Sequence, residues 1–209
     1  KKFKKKIKIK KILITVMLLV LGATAAYADR GEIIISPTYE KQKKNNDKND
    51  PVENVVGNGI KISLEGKGRI DDDVIMGIGM GLMYNSLKVK GNDINSNSGN
   101  LVAIPMYLML GTGADNGVYT KFSFGISLAN GSVKWTDKDG GSGKIKAMPI
   151  SGYAAAGIGL QKNKFSIGIN GVLAPRLKRN YSSPTKRYKG KFSDGMLSLE
   201  FGFQPTYND

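Results

Sequence analysis

Residues 118–128, Val-Tyr-Thr-Lys-Phe-Ser-Phe-Gly-Ile-Ser-Leu, alternate strictly between two kinds of side chain. One set is Val, Thr, Phe, Phe, Ile and Leu, and the set between them is Tyr, Lys, Ser, Gly and Ser. A β-strand separates such sets onto two faces, whereas a helix cannot gather the apolar set on one face. The stretch therefore predicts a β-strand with one apolar face.

Seven further stretches alternate in a similar way, and the connections between the eight strands are alternately long and short. A membrane barrel has this rhythm because its odd connections all lie on one side and its even connections on the other. The pattern predicts an all-β fold, a closed antiparallel eight-stranded transmembrane β-barrel with up-and-down meander topology. The other strands are expected near residues 32–41, 59–66, 74–89, 100–110, 145–160, 165–174 and 191–204, and the outer loops near 41–54, 91–99, 130–143 and 175–190.

The less apolar face of these strands indicates which side meets lipid. It consists mostly of Gly, Ala and Ser with a few isolated charges, as at Gly77, Gly79 and Gly81 in the third strand. Such a face suits the narrow interior of an eight-stranded barrel, which side chains just fill. We therefore expect the bulky apolar face to contact lipid. The alternative is a soluble exported ligand-binding β-barrel with the apolar face inside.

Four isolated charges fall on the face assigned to the lumen, namely Lys61, Glu65, Lys121 and Glu200. A charge inside a filled barrel is unfavourable unless it is paired, so we expect these residues to pair with one another. The favoured interpretation is structural, in which the pairs fix the strand register. The functional alternative is a polar plug or gate.

Residues 1–28 are typical of a secretory signal peptide. Eight lysines lie within residues 1–11, an uncharged segment follows, and Ala26-Tyr27-Ala28 forms a small-residue cleavage pattern. We expect cleavage after Ala28, which leaves residues 29–209 as one barrel domain. The leader accounts for 8 of the 32 Lys and Arg and none of the 17 acids, so the remainder carries a net charge of +7. We expect no nucleic-acid partner.

The composition argues against an enzyme. The chain has no histidine and no cysteine, which removes the commonest general base and two common metal ligands. The consecutive acids Asp71, Asp72 and Asp73 are interpreted as solvated charge, because sequence neighbours do not converge as ligands. We expect no catalytic residues, no metal and no cofactor.

The last predicted outer loop is strongly basic. It contains no acid and seven basic residues: Arg176, Lys178, Arg179, Lys186, Arg187, Lys189 and Lys191. Such a loop is expected to contact lipopolysaccharide phosphates or anionic host glycans. The alternative is an ordinary solvated surface.

Taken with the leader, the eight strands, including 101–110, 118–128 and the closing segment 196–203, resemble the small outer-membrane β-barrels of the OmpA, OmpX and OmpW type. The resemblance implies a monomer in the cell outer membrane, inserted by the outer-membrane assembly machinery, which reads an aromatic residue in the last strand. Phe203 or Tyr207 would serve as that signal. The expected function is a structural or surface-interaction role, and the alternative is a narrow channel for small solutes.

Overall fold

Antiparallel strands form the wall of a barrel in the computed structural model, which describes residues 30–43, 52–71, 73–91, 94–113, 116–138, 140, 142–174, 177–182, 187–191 and 193–205. The strands are β1 (Arg30–Lys43), β2 (Asn54–Arg69), β3 (Val74–Lys90), β4 (Ile94–Gly113), β5 (Gly117–Asp137), β6 (Ser142–Ala147), β7 (Ile150–Lys162), β8 (Phe165–Leu173), β9 (Leu177–Ser182), β10 (Arg187–Lys191) and β11 (Ser193–Phe203). Within these residues, no helix is long and apolar enough to cross a membrane.

Eight of these strands close on themselves and confirm the predicted barrel. The order around the wall is β1, β2, β3, β4, β5, β7, β8 and β11, and β11 pairs with β1 to complete the circle. The closing register places Ile33 opposite Phe203 and Tyr39 opposite Leu197. Closure leaves no unpaired edge in the wall, which stabilises a sheet that has no disulfides.

The three remaining strands extend the wall beyond the closed barrel. The first half of β5 pairs with β7, and its second half, from Ser132 to Thr136, pairs with β6. β6 then pairs with β9, and β9 with β10. We call β6, β9, β10 and the second half of β5 the outer extension. In sequence, β6 continues into β7, β8 into β9 and β10 into β11, so each is one long, interrupted strand.

The outer extension corrects the predicted loops. Residues 130–143 were expected to be a loop but are mostly strand, and the predicted loops 91–99 and 175–190 also contain strand residues. Alternation continues past the lipid-facing part of β5, since Val133 and Trp135 are buried while Lys134 is exposed. The polar, Gly-rich composition of these residues favoured a loop and made the alternation difficult to recognise. They form strands because neighbouring strands pair with them and supply the backbone hydrogen bonds. The connection between β3 and β4 is therefore short.

The two faces of the wall are as the sequence predicts, with large apolar side chains outside. Phe124 is 52% exposed and its neighbour Ser123 is 4% exposed. Exposed Ile, Leu, Val, Met and Phe side chains surround the closed barrel, including Ile62, Leu108 and Ile167. A contiguous apolar belt of this size is suited to lipid rather than water. The soluble, apolar-in alternative is therefore wrong.

The interior is filled, and glycine makes room for its largest side chains. A Cβ atom at Gly79 would lie 2.4 Å from the ring of Tyr107. That ring stacks on Tyr153 with 5.1 Å between centroids. Alternating glycine in β3 thus provides the space that the tyrosine pair occupies.

Candidate functional site

The four predicted lumen residues meet inside the barrel. Lys61, Glu65, Lys121 and Glu200 are all buried, and they come from β2, β5 and β11. Lys121 Nζ lies 3.0 Å from Glu65 Oε1 and 2.8 Å from Glu200 Oε2, and Lys61 Nζ lies 3.1 Å from Glu200 Oε1. Each carboxylate thus contacts an ammonium group, and three strands are joined across the lumen.

Two further charged residues belong to this group, and the sequence analysis missed both. Glu32 on β1 pairs with Lys67 on β2, and Lys67 Nζ also lies 3.4 Å from Glu65 Oε2. Lys67 lies one residue beyond the predicted strand 59–66, although it continues the inward series of Lys61, Ser63 and Glu65 at every second position. We call these six residues the lumen charge cluster: Glu32, Lys61, Glu65, Lys67, Lys121 and Glu200.

Neutral side chains complete the lumen charge cluster. Tyr107 Oη donates a hydrogen bond of 2.8 Å to Glu65, Asn170 Nδ2 donates one of 3.1 Å to Glu200, and Ser166 donates to Glu32. With three carboxylates and three ammonium groups, the cluster has no net formal charge. In such a group the opposite charges and hydrogen bonds compensate one another, as the sequence predicts for buried charges.

A second polar layer lies further along the lumen, toward the outer extension. Thr38 Oγ1 donates a hydrogen bond of 2.8 Å to Asn85 Oδ1, and Asn85 Nδ2 donates one of 2.5 Å to Glu40. The three side chains are buried.

The interior of the outer part of the wall is apolar. Buried side chains from β2, β3, β4, β5, β6 and β9 belong to one apolar cluster, which also includes side chains of β7, β8 and β11 nearer the closed barrel. Trp135, the only tryptophan of the chain, lies within it and is 1% exposed. Ile145 and Leu177 also belong to this cluster and are fully buried. Side chains therefore fill the lumen at two levels, charged toward the short turns and apolar toward the outer extension.

The seven predicted basic residues are partly strand rather than loop. Lys178 and Arg179 lie in β9, and Arg187, Lys189 and Lys191 lie in β10. The backbone register places Lys191 opposite Lys178 and Tyr188 opposite Tyr181. Five of the basic residues are thus held on a two-stranded ribbon.

Other predicted positions fall outside the described residues. These are the cleavage site Ala28, Asp72, Arg176, Lys186 and Tyr207. Phe203 is the last residue of β11. Asp71 and Asp73 are exposed, and among the residues that the structure describes no group of three His, Cys, Asp or Glu is placed to hold a metal ion.

Comparison with known proteins shows the fold. No family model matches the chain, and no curated protein matches it. Among solved structures, the attachment invasion locus protein Ail of Yersinia pestis, in complex with the heparin analogue sucrose octasulfate, is 13% identical with a TM-score of 0.50, covering 84% of this chain and 98% of Ail. Neisserial surface protein A is 14% identical with a TM-score of 0.50, covering 83% of this chain and 96% of that one. The chain has the fold of the small eight-stranded outer-membrane β-barrels.

Proposed function

We propose that this protein is a surface-interaction barrel of the outer membrane, which binds sulfated or otherwise anionic glycans through its basic outer ribbon. We define the basic ribbon as the paired strands β9 and β10, which carry five of the seven basic residues, whereas Arg176 and Lys186 lie beside these strands in sequence. The observation that carries the proposal is charge: residues 174–193 contain seven Lys and Arg and no acid. Glycan sulfates and carboxylates are complementary to such a surface.

The fold supports this proposal by holding the ribbon in place. β9 pairs with β6, which pairs with β5, so the backbone of the ribbon is continuous with the barrel wall. A surface whose backbone is already ordered loses less conformational entropy on binding than a free loop does. The related fold of Ail, which has been crystallised with a heparin analogue, is consistent with this chemistry.

The arrangement of the lumen favours this role over a channel. The lumen charge cluster occupies one part of the lumen, and the apolar cluster that contains both Trp135 and the Tyr107–Tyr153 stack fills the rest. Ions crossing the apolar level would lose their hydration without replacement ligands. We also infer that the protein is not an enzyme, since its chain offers neither histidine nor cysteine.

Binding to immobilised heparin across a salt series tests the proposal. The barrel, purified in detergent, should bind at low ionic strength and elute as salt screens the charges, because the Debye length falls to about 8 Å at physiological ionic strength. A variant with all seven basic residues changed to Ser should lose binding. A control in which Lys162 and Lys164 are changed to Ser should retain it, because both are exposed beside the short β7–β8 turn, at the opposite end of the barrel.

Two results would decide against the proposal. One is equal heparin binding by the seven-residue variant and the parent while both migrate as folded barrels. The other is loss of binding in the Lys162 and Lys164 control, which would show a general effect of net charge.

A further inference from the structure

The chain contains four Asn-Gly pairs, at 58–59, 116–117, 130–131 and 170–171, and one of them lies in a turn. Asn58, Asn130 and Asn170 lie within β2, β5 and β8, where pairing with a neighbouring strand holds the backbone extended. Asn116 instead lies in the short connection that precedes Gly117, the first residue of β5. It forms a bend in the chain and is exposed.

An Asn-Gly pair has a reaction of its own that needs no enzyme. The backbone nitrogen of the glycine attacks the side-chain carbon Cγ of the asparagine, losing its proton to solvent as the new bond forms. The bond from Cγ to Nδ2 then breaks, and Nδ2 leaves as ammonia. Water opens the resulting succinimide ring at either of its carbonyl carbons, which gives aspartate or isoaspartate. Glycine favours the attack because it has no Cβ to crowd the ring.

Strand pairing separates the four pairs by reactivity. Ring closure requires rotation about the bond between Cα and the carbonyl carbon of the asparagine, and a strand held in a ladder opposes that rotation. Asn58 is paired on both sides, with Tyr39 on β1 and Ser86 on β3. Asn170 is likewise paired on both sides, by β7 and β11. The bend at Asn116 carries no such restraint on its N-terminal side, because β5 begins only at the next residue.

A hydrogen bond from another turn activates the side chain of Asn116. The backbone N–H of Asn163 donates to Asn116 Oδ1 over 2.7 Å. Negative charge develops on this oxygen when the glycine nitrogen attacks Cγ, and a donor already placed there stabilises that charge. The bond engages the oxygen of the amide, so it does not hold the nitrogen that has to leave.

The donor is fixed by the barrel wall. Asn163 lies in the tight turn between β7 and β8, which is closed by the pairing of Lys162 with Phe165. Its φ of 52° lies in the left-handed region, which asparagine adopts more readily than most residues. The N–H of Asn163 is therefore held at Asn116 by paired strands.

We propose that Asn116 is a site of spontaneous deamidation in the folded barrel, which converts it to aspartate and isoaspartate while Asn58 and Asn170 stay intact. Conversion adds a negative charge next to Asn163, whose sequence neighbours Lys162 and Lys164 are exposed. The aspartate product keeps an oxygen that accepts the bond from Asn163. The isoaspartate product lengthens the main chain by a methylene group and so displaces this link between two turns. The inference does not depend on the function proposed above.

The test follows the four pairs during incubation of the purified barrel at mildly alkaline pH, both folded in detergent and unfolded in urea without detergent. Peptide mass spectrometry measures conversion at each asparagine, and an enzyme that methylates isoaspartate identifies that product. In urea, the four should convert at similar rates, because each precedes a glycine. In the folded barrel, Asn116 should keep about its unfolded rate. Asn58 and Asn170 should convert at least about tenfold more slowly than in urea, a barrier difference of about 1.4 kcal/mol.

Asn116→Gln is the matched control. Glutamine keeps the amide but would have to close a larger ring, so position 116 should stay unconverted while the other three pairs behave as in the parent. Protection of Asn116 in the folded barrel to the same extent as Asn58 would overturn the proposal. So would equal conversion at position 116 in the parent and in Asn116→Gln, because solvent would then hydrolyse the side chain without attack by Gly117.

Discussion

Changing Lys121 to Met should destabilise the barrel by about 3 kcal/mol. Methionine keeps much of the apolar stem but removes the ammonium group, which lies 3.0 Å from Glu65 and 2.8 Å from Glu200. Removing one partner of a buried ion pair costs about 3–5 kcal/mol, because the other charge is left uncompensated. The lower end applies here, since Glu200 retains Lys61 at 3.1 Å and Glu65 retains Lys67 at 3.4 Å.

Urea unfolding in lipid vesicles measures this free energy. The fluorescence of Trp135 reports unfolding, because it is the only tryptophan and is buried in the folded chain. Lys162→Met is the matched control, since Lys162 is exposed, and its effect should stay within about 0.5 kcal/mol. Lys121 and Glu200 contact each other, and adding Glu200→Gln to Lys121→Met makes the lumen charge cluster neutral again, so the two changes should be coupled by about 1–3 kcal/mol. Equal effects of Lys121→Met and Lys162→Met, or strict additivity in the double variant, would refute the structural role of the lumen charge cluster.

Three further outcomes test the wall of the barrel. Phe124→Arg should cost about 2–4 kcal/mol if the position is near the bilayer midplane, whereas Phe124→Leu should cost under about 1.5 kcal/mol, as urea titration would show. Gly79→Ala should lower the free energy of unfolding by about 1–3 kcal/mol, because the added methyl group crowds the stacked tyrosines. Gly152→Ala should lower it much less, since a Cβ there meets nothing within 4 Å, and similar unfolding midpoints for the two variants would contradict this reasoning. A cysteine at position Lys138 should react with an impermeant label on whole cells and one at Asn163 should not; the reverse pattern would invert the topology.

Much of the wall was predictable because period-two alternation fixes both the strand and its two faces. The stretch around Phe124 shows this, and Lys121 could be placed in the lumen from the same pattern before any contact was known. The inward position of Lys67 follows from the same alternation, but the predicted second strand ended at residue 66 and left Lys67 in the connection to the third.

The outer extension was harder to predict for a physical reason. Its strands are short, and their stability comes from pairing with β5 and from packing around Trp135 rather than from local preference. Residues 94–99, Ile-Asn-Ser-Asn-Ser-Gly, carry no apolar alternation and become strand only because β5 continues beside them. The sequence of such a segment does not show which neighbouring strand will pair with it.

With the predicted topology, the length of β5 has a consequence for how far the protein projects from the cell. Beyond Leu128 the strand continues for nine residues to Asp137, about 30 Å of chain and, at the usual tilt, a vertical rise of more than 20 Å. Because this rise consists of paired strands around an apolar interior, the end of β5 is supported by its neighbours rather than free to fold back onto the membrane. A coat of surface sugars of similar depth would conceal a shorter barrel completely, whereas the tip of this one remains accessible to a partner too bulky to penetrate that coat.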